Sequence, residues 1–198
     1  MKRVAIFISG RGSNLEAILE KRKQGYLECQ IPFVLSNRSD ARGLPIASQY
    51  KIPTEILEQK EFSSRIDFEQ AILALLKTKK IDIIVLAGFM MVLSKDFIES
   101  FPGHIINIHP ALLPYYGGKG MYGARVHECV IANHEKESGI TIHLVNEVYD
   151  NGKILFQATC PINTSETADS LAQKIHTLEY TYFPQIVKKY VLEDYKTI

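Results

Sequence analysis

Val4-Ala5-Ile6-Phe7-Ile8-Ser9-Gly10-Arg11-Gly12-Ser13-Asn14-Leu15 is the stretch on which the fold turns. Five apolar residues without polar alternation read as a strand buried on both faces, the habit of a parallel sheet. A glycine-rich turn follows, and Leu15, Ile18 and Leu19 then recur at helical spacing over Ser13 to Lys23. The charged start Met1-Lys2-Arg3 before an apolar run has the outline of a secretion signal. A signal would have a longer apolar region ending at small residues. Here the run ends in the glycine turn, so a buried first strand is expected.

The same unit repeats outward along the chain. Strands are expected at Ile31 to Leu35, Thr54 to Leu57, Asp82 to Ala87 and His104 to Ile108. Helices are expected over Ala41 to Tyr50, over Arg65 to Lys79, and from a Ser94 cap to Ser100. The Arg65 helix carries Ile66, Phe68, Ala71, Ile72, Leu75 and Leu76 on or near one face. Alternation of this kind implies a parallel sheet, helices on both faces and right-handed crossovers. Beyond His109 the pattern changes. Residues 110 to 122 hold Pro110, Pro114, Gly117, Gly118 and Gly120 between two ordered flanks, which marks a functional loop rather than a linker. A helix from Gly123 to Asn133, strands at Ile140 to Asn146 and Ile154 to Ile162 in antiparallel array, and a terminal helix within Ser165 to Leu192 complete the reading. Pro184 should break or kink the last helix.

Composition narrows the function. The chain has 198 residues, which suits one domain. Lys+Arg is 23 against 22 Asp+Glu, a net charge of +1, so no general basic field is available for nucleic acid or a membrane surface. Hydrophobic residues make up 46 %, which excludes disorder, and no apolar run reaches the roughly 18 residues of a membrane span. Cys29, Cys129 and Cys160 are odd in number and widely spaced, as expected of free, buried or half-buried thiols in a reducing cytoplasm.

Three segments can carry chemistry. In the turn Gly10 to Asn14, glycines let backbone approach a ligand, and Ser13 with the first helical amides can bind an anion. The third glycine of a dinucleotide fingerprint is replaced by Leu15, and no Gly-Lys-Ser/Thr follows, so a phosphomonoester fits better than a pyrophosphate. The alternative is a tight turn with a serine cap. In Ile106-Asn107-Ile108-His109-Pro110, period two puts Asn107 and His109 on one face at the carboxyl end of a strand, where open α/β sheets bind ligands. They are either an amide donor beside a group titrating near neutrality, or a satisfied buried polar pair. Asp150-Asn151-Gly152 reads as an ordinary hairpin turn, unless Asp150 reaches His109 and raises its pKa. The remaining histidines, His104, His127, His134, His143 and His176, lack metal-ligand spacing. His127 and His134, seven apart, share a helix face but have no third ligand, so no metal is expected.

Taken together, the segments resemble the glycinamide ribonucleotide formyltransferases, a branch of the folate-dependent formyltransferase superfamily. The resemblance rests on Ile8-Ser9-Gly10-x-Gly12-Ser13-Asn14-Leu15, Ser36-Asn37, Val85-Leu86-Ala87-Gly88-Phe89-Met90, Asn107-Ile108-His109-Pro110-Ala111-Leu112-Leu113-Pro114, Asp150-x-Gly152, and Glu179 before Tyr182-Phe183-Pro184. It implies an α/β, Rossmann-like formyltransferase fold, with a mostly parallel central sheet, helices on both faces and a C-terminal antiparallel part. Residues 1–100 would be a phosphate-binding half and residues 101–198 a catalytic and folate-binding half of one domain. The implied reaction moves the formyl group of 10-formyltetrahydrofolate, as co-substrate, to the amine of 5-phosphoribosyl-glycinamide in purine synthesis. Asn107, a protonated His109 and Asp150 match the catalytic positions. Gly12, Ser13, Asn14 and Glu179 match the ribonucleotide site. Met90, Met91, Val92, Leu93, Asn107, Asn146, Glu147, Val148 and Tyr149 match the folate pocket. Arg65 falls at a folate-contacting arginine, against the alternative of a solvated charge.

Two features depart from the family pattern. Met91 stands where an arginine is common, and Tyr115 to Tyr122 carries extra residues in the loop. The catalytic signature also occurs in formyltetrahydrofolate deformylases, which usually add an N-terminal regulatory domain, and in methionyl-tRNA formyltransferases, which add a basic C-terminal one. This chain begins at its first strand and carries a charge of +1, so the single-domain transferase is expected. A noncatalytic nucleotide-binding module is the reading from another class. The expected partners are small molecules, not nucleic acid or membrane, and the expected state is a monomer or weak homodimer.

Overall fold

Period-two alternation along β1 (Val4–Ile8) divides the core into two layers. Val4, Ile6 and Ile8 join one apolar cluster, and Ala5 and Phe7 join the other. The computed structural model describes residues 1–192. The upper layer receives α1 (Ser13–Lys23), α2 (Gly43–Gln49), α5 (Ala124–Ala132) and α6 (Ala168–Leu192). The lower layer receives α3 (Arg65–Thr78) and α4 (Lys95–Ser100). Between them lies one seven-stranded sheet in the order β3-β2-β1-β4-β5-β6-β7.

The remaining strands are β2 (Val34–Ser36), β3 (Thr54–Ile56), β4 (Ile83–Leu86), β5 (His104–His109), β6 (Glu137–Leu144) and β7 (Ile154–Pro161). The pairs among β1 to β5 are parallel, and β5–β6 and β6–β7 are antiparallel. The chain leaves β1 toward β2 on one side and returns to β4 on the other. The crevice outside the carboxyl ends of β1 and β4 is therefore the topological switch point, where such sheets take ligands.

Several expectations are corrected. β2 spans Val34–Ser36 and begins three residues late, because Pro32 has no N–H for the ladder. An isolated Arg3–Gln30 bridge takes its place. The buried stripe of α3 is Phe68, Ile72 and Leu76, at i, i+4 and i+8. Ile66 lies off that stripe, 68 % exposed. β6 runs from Glu137 to Leu144, so Asn146 belongs to the loop beyond it. α5 ends at Ala132 and His134 follows in a left-handed conformation, φ 52°, so His127 and His134 do not share a helix face. α6 runs unbroken through Pro184, whose neighbours Phe183, Ile186 and Val187 are buried. Ser94 caps α4 as expected, accepting from Phe97 N–H at 3.1 Å. Cys29 and Cys160 are buried, Cys129 is half-buried, and all three are free.

Candidate active site

The turn after β1 is built from backbone. Gly12 adopts φ 79°, and a Cβ there would stand 2.5 Å from Gly43 Cα. Two glycines thus let α1 and α2 touch main chain to main chain, and Gly43 N–H donates to Gly10 O at 2.9 Å. The cap of α1 is Gly12, with no side-chain capping bond, which corrects the serine cap. The amides of Ser13 and Asn14 lie in the first helical turn and have no partner within the helix. Ser9 N–H donates to Gly88 O at 3.0 Å. Its hydroxyl donates to Asn37 Oδ1 at 2.6 Å and accepts Met90 N–H at 2.7 Å.

Asn14 and Glu179 meet across 165 residues. Asn14 Nδ2 donates to Glu179 Oε2 at 3.0 Å, while Asn14 Oδ1 is buried without a partner. Burial pushes the Glu179 carboxyl up to about 7, against the Asn14 hydrogen bond that lowers it. The positions expected to hold a ribonucleotide, Gly12, Ser13, Asn14 and Glu179, therefore come together, with Glu179 titrating near neutrality rather than carrying a fixed charge.

The second half of the site is built from side chains on β5 and β6. Ile106 and Ile108 enter the upper core, which leaves Asn107 and His109 on the other face, as period two requires. The antiparallel register sets Asn107 opposite His143. Asn107 Nδ2 lies 3.1 Å from His143 Nε2, and His143 Nδ1 lies 2.9 Å from Leu144 O. A carbonyl can only accept, so Nδ1–H is the donor and Nε2 receives the Asn107 amide. His143 aims Asn107. It was passed over in the sequence because strand pairing, not spacing, brings it there. Its signal is the alternation that puts Thr141 and His143 on one face of β6.

Asp150 stands between two imidazoles. Oδ2 is 3.6 Å from His109 Nδ1 and Oδ1 is 3.6 Å from His143 Nε2. Gly118 N–H donates to Asp150 Oδ2 at 2.9 Å. Burial would raise the Asp150 carboxyl, but His143, His109 and the Gly118 amide outweigh it and hold the pKa below its usual value. Asp150 is therefore more than a turn residue.

His109 departs from expectation. Burial is the largest influence on it and lowers its pKa, and His143 lowers it further. Asp150 and the Tyr116 carbonyl raise it without reversing the direction. The resting ring is shifted toward the neutral form, because the site that shelters it also removes the water that would solvate its charge.

His127 is a second residue that the sequence reading weighed only as a metal ligand. It is buried on α5 with Nδ1 unpartnered, and burial drives its pKa down to about 4, with His176 and His109 adding to the effect. His176 in turn feels Arg11. Electrostatic contact thus runs from the β1 turn to His109.

The segments expected to hold folate rest on one layer. Leu93 is buried in the lower core, and Met91 and Val145 pack against it. Met90, Val148 and Tyr149 are exposed, and Val148 N–H donates to Asn146 Oδ1 at 3.1 Å. Glu147 is exposed. Arg65 is exposed to solvent but not free. Its Nε and Nη2 each reach Glu69 Oε1 at 3.1 Å, and Nη2 reaches Val92 O at 2.6 Å. Buried Glu69 also receives Ser94 N–H at 3.0 Å and the Ser94 hydroxyl. The arginine is a strut under the Met90 to Leu93 segment. Among the described residues, no group of three or more His, Cys, Asp or Glu could hold a metal ion, and no helix is long and apolar enough to cross a membrane.

A neutral amide, a buried imidazole and a carboxylate converge at the end of an open α/β sheet, an arrangement whose chemistry suits acyl transfer. Residues 2–187 match the formyl transferase family, and the chain belongs to it. It is a transferase. Similar proteins include phosphoribosylglycinamide formyltransferase of Haemophilus influenzae, 37 % identical over 95 % of this chain and 86 % of that one. The enzyme of that name from Bacillus subtilis is 33 % identical over 96 % of this chain and 94 % of that one. The crystal structure of phosphoribosylglycinamide formyltransferase from Bacillus halodurans superposes with a TM-score of 0.89 at 34 % identity, covering 97 % of this chain and 96 % of that one.

Proposed function

We propose that this protein transfers the formyl group of 10-formyltetrahydrofolate to the amine of 5-phosphoribosyl-glycinamide, a step of purine synthesis, in the cytoplasm. The observation that carries the reading is the convergence of Asn107, His109, His143 and Asp150 at the sheet end that also holds the Gly12 turn. The names of the relatives support the choice of substrates. Residues 1–100 supply the phosphate cradle, and residues 101–198 supply catalysis and the folate pocket, within one domain. The protein acts on small molecules without nucleic acid, membrane or metal, as a monomer or weak homodimer.

The phosphate sits on the amides of Ser13 and Asn14, with the α1 dipole behind them. Glu179 and Asn14 hold the ribonucleotide. The pterin lies between Met90 to Leu93 and Asn146 to Tyr149. The amine attacks the formyl carbon, a C–N bond forms, and the carbonyl oxygen becomes an oxyanion. Asn107 Nδ2–H, aimed by His143, and a His109 N–H stabilise it in a buried cleft. The developing negative charge and Asp150 reverse the burial effect on His109, so the ring becomes cationic as the oxyanion forms. The proton lost by the attacking nitrogen passes by way of Asp150 to His109 and makes the ring cationic, and as the folate C–N bond breaks His109 gives that proton to the leaving nitrogen.

The test is purified protein with 10-formyltetrahydrofolate, with and without the amine. Release of folate that depends on the acceptor is expected. Acceptor-independent release would make the protein a hydrolase, and no release would remove the enzymatic reading.

A further inference from the structure

The loop that leaves β5 folds back onto it. Tyr116 carbonyl oxygen lies 2.7 Å from His109 Nε2. A carbonyl can only accept, so Nε2–H donates to it. The other ring nitrogen, Nδ1, faces Asp150 Oδ2 at 3.6 Å, too far for a direct hydrogen bond. In acyl-transfer sites of the Ser-His-Asp kind, the acceptor on the non-reacting nitrogen sets the tautomer and the angle of the ring. Here that acceptor is main chain, and the carboxylate faces the opposite nitrogen.

Tyr116 is itself held on three sides. Its backbone is left-handed, φ 56°, a conformation a bulky residue keeps only when its surroundings impose it. Its hydroxyl donates to Glu135 Oε1 at 2.6 Å and accepts from Asn133 Nδ2 at 3.0 Å, just beyond α5. Its ring packs against the upper core. The next residues continue the attachment. A Cβ on Gly117 would stand 2.5 Å from Leu113 Cδ2 and 3.1 Å from Asp150 Cβ. The far end of α5 is thereby joined through one side chain to the catalytic ring.

We propose that Tyr116 is a positioning residue whose hydroxyl, strapped to Asn133 and Glu135, holds its carbonyl on His109 Nε2 and leaves Nδ1 as the working nitrogen. Nδ1, unprotonated at rest, takes up a proton from the attacking amine on the Asp150 side as the new C–N bond forms, and gives it to the leaving nitrogen as the folate C–N bond breaks. The catalytic part of this assignment rests on the formyl-transfer reading, but the orientation of the ring does not. The charged and titratable groups acting on His109 are Asp150 and His143, with His127 beyond them.

The experiment pairs nitrogen NMR of the His109 ring in ligand-free protein with steady-state kinetics of Tyr116→Phe and Glu135→Gln. The wild-type neutral ring is expected to carry its proton on Nε2. Tyr116→Phe should mix the two tautomers and lower kcat about tenfold, the scale of two modest hydrogen bonds lost. KM and melting temperature should stay close to wild type. Glu135→Gln keeps an acceptor and should restore most of the rate. A wild-type protein that transfers formyl groups with its proton on Nδ1, or a Tyr116→Phe protein with unchanged kcat and tautomer, overturns the proposal. An Nε2–H ring that loosens in Tyr116→Phe, in a protein that transfers no formyl group, upholds the orientation and overturns the formyl-transfer reading.

Discussion

The two halves of the site are made from different materials. The turn between β1 and α1 works through glycine, backbone amide and close main-chain approach, Gly12 against Gly43. The β5–β6 end works through side chains that a strand register sets face to face, Asn107 against His143 and His109 against Asp150. An anion needs only donors at short range, which main chain supplies. Acyl transfer needs groups whose protonation can change, and only side chains supply those. Damage to the first half should therefore appear in folding and ribonucleotide affinity, and damage to the second in turnover.

The sharpest way to break this division is His109→Ala. Loss of a donor preorganised for an oxyanion removes about 3–4 kcal/mol of transition-state stabilisation, roughly 100–1000-fold in kcat. Ribonucleotide affinity by calorimetry should hold within a few-fold, and a parallel loss of affinity would merge the two halves.

Glu179→Gln tests the one buried carboxyl of the backbone half. The folded-state pKa is raised to about 7. Stability from the neutral form is then complete below the ordinary value near 4.5 and is lost as pH rises through about 7. The Gln variant should be more stable than wild type at pH 8 by up to about 3 kcal/mol in denaturant melts, and the gap should close toward pH 4.5. A gap that widens toward acid would reverse the sign.

Gly12→Ala puts a methyl 2.5 Å from Gly43 Cα at φ 79°. A loss of about 2 kcal/mol of stability is expected, with weaker phosphate binding. Unchanged melting would mean that α2 can move away freely. The smallest effect is a titration. Asp150→Asn removes a charge that raises the His109 pKa, so the ring should titrate at lower pH by NMR. An upward move would show that Asp150 is not ionised beside it.

Much of this was legible before any coordinates. The alternation of Val4 to Ile8 with α1 gave the buried parallel strand, and period two alone put Asn107 and His109 on one face. Local rules reached that far because each concerns residues close in sequence. They failed where the determinant was distant. His143 joins the site through a pairing with Asn107 across 36 residues. Tyr116 acts through its carbonyl, which residue identity does not encode. The direction of the His109 shift depends on how much water the folded chain excludes. Pro32, by contrast, was a local signal for a shorter β2 that a strand-like composition overrode.

The Ser9 hydroxyl has a geometric consequence. It donates to Asn37 on one side and receives Met90 N–H on the other. The turn after β1 and the segment after β4 are thus gauged from a single datum point, where their position errors do not accumulate.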